Sequence, residues 1–220
     1  MPRAFSDHEK EIIRKRLQDE GYRLFSAYGL KKTNVEEIAE AAGISKGAFY
    51  IFYASKEELF MDVIEQAEMR VRQEVLAVID QPGDSARARL SAVLRKALRL
   101  FETMPILKFF TGSDFNVLFR RIPSAKLQQH LVSDRTFLEE LIARCRQAGI
   151  PIQAQPEQIS GLLYPLVLAV LHEDEFGGEL VGEGIDLLLE LVAAFCVGEI
   201  VVQPQASTAP AGLSRERVSK

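Results

Sequence analysis

The sequence predicts an all-α protein. Apolar residues recur at helical spacing along the chain, alternating β-branched runs bounded by turn residues are missing before the tail, and helix stop signals fall between the periodic stretches. Helices are expected at about 6–28, 34–42, 46–53, 56–80, 85–103, 124–148, 156–173 and 182–201, with a shorter piece around 105–119. Gly29, Gly43, the Gln81-Pro82-Gly83-Asp84 turn, Gly149 followed by Pro151, and Gly177-Gly178 separate them.

The 220 residues are 47% hydrophobic and 26% charged, a globular composition. The longest apolar stretch, 159–171, is interrupted by Ser160, Gly161 and Pro165 and falls short of the roughly 20 residues that cross a bilayer. No secretory signal opens the chain, so a cytoplasmic protein without membrane contact is expected. Cys145 and Cys196 are too few for a disulfide framework and read as small buried hydrophobes. The net charge is −4, but ten bases and ten acids balance within residues 1–60, so the whole deficit lies further on. A neutral N-terminal part permits a nucleic-acid module there without requiring one. Three segments are expected: 1–54, 55–202, and a small-polar stretch at 203–220 that buries too little to order.

The first helix places Ile13, Leu17, Leu24 and Phe25 on its core stripe and leaves Lys10, Arg14 and Lys15 to solvent. Gly29 fits its C-terminal cap. Between Thr33 and Lys56 three helix starts follow one another: Thr33 with Glu36 three residues on, Ser45, and Ser55 with Glu58. Ile38, Ala39, Ala42, Gly43, Ile44, Phe49 and Phe52 meet the packing demands of a helix-turn-helix, with the methyl of Ala39 at the crossing and Gly43 in the turn. Such a pair presents the leading turn of its second helix, Ser45 to Tyr50, to a major groove. Lys46 suits guanine or phosphate, Ala48 a thymine methyl, Gly47 a close backbone approach, and Ser45 and Tyr50 phosphate oxygens. Lys56, at the next helix N-terminus, suits a phosphate as well.

The run Thr33-Asn34-Val35-Glu36-Glu37-Ile38-Ala39-Glu40-Ala41-Ala42-Gly43-Ile44-Ser45-Lys46-Gly47-Ala48-Phe49-Tyr50, followed by Ser55-Lys56-Glu57-Glu58-Leu59-Phe60, resembles the signature of TetR-type transcriptional regulators, over about Ile12 to Ile64. The remaining two thirds resemble the family only in helical layout. The resemblance implies a homodimer with two N-terminal three-helix DNA-binding heads and a C-terminal helical ligand-binding and dimerisation domain, and an effector that releases a double-stranded operator. By position it implies DNA contacts at Thr33, Ser45, Lys46, Gly47, Ala48, Tyr50 and Lys56. One departure stands out: the family commonly reads Tyr-x-Tyr-Phe or Tyr-x-His-Phe where this chain has Tyr50-Ile51-Phe52-Tyr53. Either Tyr53 replaces the polar contact missing at Phe52, or the half-site has one hydrogen bond fewer.

In the C-terminal part, 156–173 and 182–201 are apolar on more than one face, with Asp186 and Glu190 as a thin wet strip, which predicts a four-helix interface with a second copy, the alternative being a core buried within one chain. Phe101, Met104, Phe109, Phe110, Phe115 and Phe119 either fill a core or line an apolar cavity. In the second case Phe101, Phe109, Phe110 and Phe115 would enclose a medium-sized hydrophobic effector, oriented by Asn116, Tyr164 or His172.

Enzyme readings are weak. Gly43-Ile44-Ser45-Lys46-Gly47 matches the nucleophile-elbow pattern G-x-S-x-G, but a helix precedes the glycine where that motif needs a strand. His172 with Glu175 reads as a solvated helix end rather than a metal site. No catalytic residue, metal or cofactor is expected. The expectation is a ligand-responsive regulator, most simply a repressor; the competing reading is a helical protein-interaction adaptor with no sequence-specific DNA binding.

Overall fold

A computed structural model describes residues 5–107, 124–172 and 178–202, and among the described residues it holds eight α-helices and no strand. They are α1 (Asp7–Lys32), α2 (Val35–Ala41), α3 (Lys46–Phe49), α4 (Lys56–Leu76), α5 (Ala86–Thr103), α6 (Ser124–Gln147), α7 (Pro156–Leu171) and α8 (Gly178–Cys196). None is long and apolar enough to cross a membrane. Phe109, Phe110, Phe115 and Asn116 lie outside the described residues, as do Glu175, most of the short helix expected at 105–119, and the tail from 203.

α1 opens on a capping box in which Ser6 Oγ accepts from the Glu9 N–H and the Glu9 carboxylate accepts from the Ser6 N–H. Ile13, Leu17, Leu24 and Phe25 are buried on one stripe. The helix breaks at Gly29 (φ 77°, ψ 168°), and a last turn carries it to Lys32. α1 packs on α2 and α4, and α2 on α3. Phe25 meets Phe60 of α4 edge to face, their centroids 4.9 Å apart. These contacts close a three-helix head over the first half of α4.

α4 continues beyond the head to pack on α5 and α6, while α8 lies against α5 and α7. Arg89 ties two helix ends together, donating to Ala148 O after α6 and to Ile79 O after α4. Cys145 and Cys196 are buried free thiols, each pushed up to about 11 by burial.

α8 differs from expectation at both ends. It begins at Gly178 rather than 182 and stops at Cys196, where Gly198 (φ 81°) closes a Schellman turn, Glu199 N–H donating to Ala194 O at 2.9 Å. Ile200, Val201 and Val202 keep the apolar period going in sequence, and the turn overrides it. Asp186 and Glu190, expected as a wet strip, keep their side chains exposed along the edge of α5, where Arg95 pairs with both and Ser91 Oγ donates to Glu190. Those bonds hold the Glu190 carboxyl below its ordinary range. The face left outward carries Leu187, Leu188 and Leu191, beside exposed Leu162 and Tyr164 of α7.

Candidate nucleic-acid interface

The turn between α2 and α3 is fixed by Gly43 at φ 75°, a conformation that L side chains avoid. Ile44 N–H reaches back to Ala39 O (2.9 Å) and Gly43 N–H to Glu40 O (3.0 Å), a Schellman closure. Ile38, Ala39, Ala42 and Phe49 are buried beneath it. Ser45 caps α3 by accepting from the Ala48 N–H at 3.2 Å, which leaves its own O–H free to donate outward. Only residues 46–49 are α-helical, against an expected 46–53; the chain continues in tight turns, Phe52 N–H donating to Phe49 O.

Ser45, Lys46, Gly47 and Tyr50 are exposed on the leading turn and Ala48 is half-buried beside them. Tyr50 is anchored edge-on against the buried Phe49 ring, with centroids 5.5 Å apart, and about half of its surface stays exposed. Lys46 pairs with Glu36 in the first turn of α2. The hydrogen bond from Lys46 holds the Glu36 carboxyl below its usual range, and the carboxylate pushes the lysine up in return. Next to this surface, the first turns of α2 and α4 and the Tyr50 side chain border a hollow of about 310 Å³, lined by Asn34, Val35, Ala54 and Ser55 among others.

Gly47 is informative because nothing inside the chain needs a glycine there. Its φ is not positive, and an added Cβ would meet only Ser45 Oγ, at 3.9 Å. A glycine within a helix costs roughly 0.5–1 kcal/mol relative to alanine.

Two expected contact residues are placed differently. Thr33 is fully buried and is not the cap of α2: its hydroxyl bonds to Gly29 O (2.8 Å) and Leu24 O, so no phosphate reaches it. Asn34 caps α2 instead, in a capping box with Glu37. Both registers fit the sequence, and burial of Thr33 decides between them. Lys56 does not hold its ammonium out for a phosphate; it donates to Leu30 O and Thr33 O, each at 2.7 Å, and caps the end of α1.

Tyr53 does not replace the contact missing at Phe52. It is buried, its ring lies under the Arg14 guanidinium at 5.3 Å, its hydroxyl donates to Asp62 Oδ2 at 2.5 Å, and Gln18 Nε2 lies 3.3 Å away. Burial, then Asp62, drives its pKa upward. Phe52 is also buried, with its ring 6.0 Å from Phe5.

The sequence model of the bacterial regulatory proteins of the tetR family matches residues 17–63. Over those residues the chain is similar to the N-terminal part of tetR-family regulators. Among relatives, the HTH-type transcriptional regulator AcrR of Shigella flexneri is 35% identical over 77 residues, 34% of this chain and 36% of that protein. A protein described as the probable acrEF/envCD operon repressor of Escherichia coli (strain K12) is 23% identical over 130 residues, 57% of this chain and 58% of that one. The chain thus spans less than two thirds of either relative. The likeness of fold extends further: the structure of the transcriptional regulator FadR from Bacillus subtilis in complex with stearoyl-CoA superposes with a TM-score of 0.59 at 16% identity, covering 82% of this chain and 97% of that one. The all-helical fold is therefore shared well beyond the matched N-terminal residues.

Of the residues expected to orient an effector, Phe101 packs half-buried against the core, Tyr164 is 65% exposed, and His172 caps the end of α7. Tyr164 faces solvent because it sits two residues, about 200° of helix, from the buried Leu166.

Proposed function

We propose that the protein is a ligand-responsive, DNA-binding transcriptional regulator, working as a homodimeric repressor that leaves a palindromic operator when a largely apolar effector binds. The observation that carries the reading is the leading turn of α3, where Gly47, which the fold does not require, lies between exposed Lys46 and exposed Tyr50. In this reading Lys46 exchanges Glu36 for guanine or phosphate, Ala48 touches a thymine methyl, and Ser45 and Tyr50 donate to phosphate oxygens. The hollow beside Tyr50, where α2 and α4 begin, takes a phosphate on backbone N–H groups. The outward Leu162, Tyr164, Leu187, Leu188 and Leu191 form the face that meets a second copy, because an apolar patch of this kind on a monomer would remain in water. The relative described as an operon repressor supports the sign of regulation, and the acyl-CoA complex of a protein with this fold supports an apolar effector. An enzymatic role for Ser45 finds no support, since it caps a helix that follows another helix.

Selection of bound fragments from genomic DNA, followed by anisotropy titration, tests the reading. Lys46→Ala and Tyr50→Ala should each weaken operator binding at least tenfold while circular dichroism stays unchanged. Leu191→Glu should convert a dimer to a monomer in sedimentation and abolish tight operator binding. A protein that selects no sequence, yet captures a partner protein through the α7–α8 face, would favour the adaptor reading instead.

A further inference from the structure

α4 and α6 meet along a seam that the head does not use. There Glu68 of α4 comes up against His130 and Asp134, which lie one turn apart on α6. One ligating atom from each stands within 4.8 Å of the other two. Glu68 Oε2 is 3.6 Å from His130 Nδ1, and Asp134 Oδ2 is 3.7 Å from His130 Nε2. The side chains of Glu68 and His130 are only 15% and 11% exposed, whereas that of Asp134 is 49% exposed. Two donors are sheltered and the third stands at the mouth, where a hydrated ion would arrive.

Arg72 borders the cluster without closing it, 2.7 Å from Asp134 Oδ1 but 3.9 Å from Glu68 Oε2. Arg72 is also held by Ser133 Oγ at 2.7 Å and lies over the Phe137 ring at 5.1 Å, so it keeps partners if Asp134 turns away. One imidazole nitrogen and two carboxylate oxygens, from two helices, make a donor set suited to zinc and its first-row neighbours and too poor in oxygen for calcium. Bonds of about 2.0–2.1 Å put the ligand atoms of a tetrahedral zinc about 3.3 Å apart, so the two carboxylates, which here lie beside opposite imidazole nitrogens, would close on the one nitrogen that binds.

We propose that Glu68, His130 and Asp134 form a site for a zinc-class divalent cation that joins α6 to α4, with water in the remaining coordination positions. The site is separate from the DNA-facing surface and does not rest on the function proposed above. The cation would fix α6 against the helix that carries the head, where Lys126 of α6 already pairs with Glu58 of α4 at 2.8 Å.

The test uses the full chain, stripped of metal by chelation and dialysis. Zinc chloride is titrated against a chromophoric zinc indicator, and cobalt(II) is added separately as a spectroscopic probe. The expected result is one zinc per chain, a visible cobalt band that zinc bleaches, and at least a tenfold loss of zinc affinity in both His130→Ala and Asp134→Asn, with helicity retained. Asp134 is half-exposed, so Asp134→Asn carries the test alone if His130→Ala fails to fold. Absence of a stoichiometric zinc event in the wild-type chain, or wild-type affinity in the folded variants, would overturn the proposal.

Discussion

Replacing Gly47 by Ala adds one methyl group on the outer side of a four-residue helix. Inside the chain that methyl has room, since its nearest non-neighbouring atom is Ser45 Oγ at 3.9 Å and no left-handed backbone has to be preserved. Removing the conformational freedom of glycine from the unfolded chain and from a helical position stabilises by roughly 0.5–1 kcal/mol. For a chain of this size that is an upward shift in Tm of about 1–4 °C. Against DNA the same methyl occupies the space through which a sugar-phosphate backbone approaches. A loss of about 1.4 kcal/mol or more in binding, tenfold in affinity, is the expected consequence. Thermal melts followed by circular dichroism and operator titration by anisotropy read the two effects on one preparation. A variant that melts lower than wild type, or binds its operator equally well, would refute the claim that glycine is placed there for an outside partner.

Tyr53→Phe should destabilise the protein by about 1.5–3 kcal/mol in urea titration, because it removes a buried hydroxyl bonded to a carboxylate, while leaving operator affinity unchanged; weakened DNA binding in a stably folded variant would return Tyr53 to the interface. Lys56→Met keeps the stem and removes the ammonium from the carbonyls at the end of α1. It should likewise lower stability by about 1.5–3 kcal/mol and leave the salt dependence of DNA binding unaltered, whereas a slope shallower by about one per subunit with unchanged stability would mark a phosphate contact. In metal-free protein, Glu68 holds its proton up to about pH 8 when folded but loses it near 4.5 when unfolded. Stability therefore falls as pH rises through that window, by at most about 5 kcal/mol from this residue. Arg72, Asp134, His130 and Glu65 share its surroundings, and Glu68→Gln should flatten the fall in denaturant titrations between pH 5 and 8; a slope as steep as wild type would clear Glu68 of the effect.

What was legible in the sequence was local. The stripe of Ile13, Leu17, Leu24 and Phe25, the turn at Gly43 and the caps at Ser45 and Ser55 depend on residues within a few positions of one another, and all appear where the period and the capping rules place them. Long-range partners were not legible. Lys56 carries the composition of a phosphate ligand, and only the fold puts the end of α1, more than twenty residues earlier, against its ammonium. Tyr53 sits three residues from exposed Tyr50 yet turns inward to Asp62. Thr33 and Asn34 each have a glutamate three residues on, and tertiary burial chose between them. Glu68 and His130 are sixty-two positions apart, with nothing in their local pattern to pair them.

The clasp of Lys56 on the last turn of α1 makes a stiff joint. Its ammonium sits at the start of α4 and bonds to carbonyls at the end of the helix that floors the head, so a tilt of α4 would carry the head with it. α4 has 21 residues, roughly 30 Å at about 1.5 Å each. A tilt of about 5° at the far end of such an arm displaces its tip by nearly 3 Å, comparable to a hydrogen-bond length. Small adjustments among the distant helices would therefore be magnified rather than absorbed on their way to the surface that carries Tyr50.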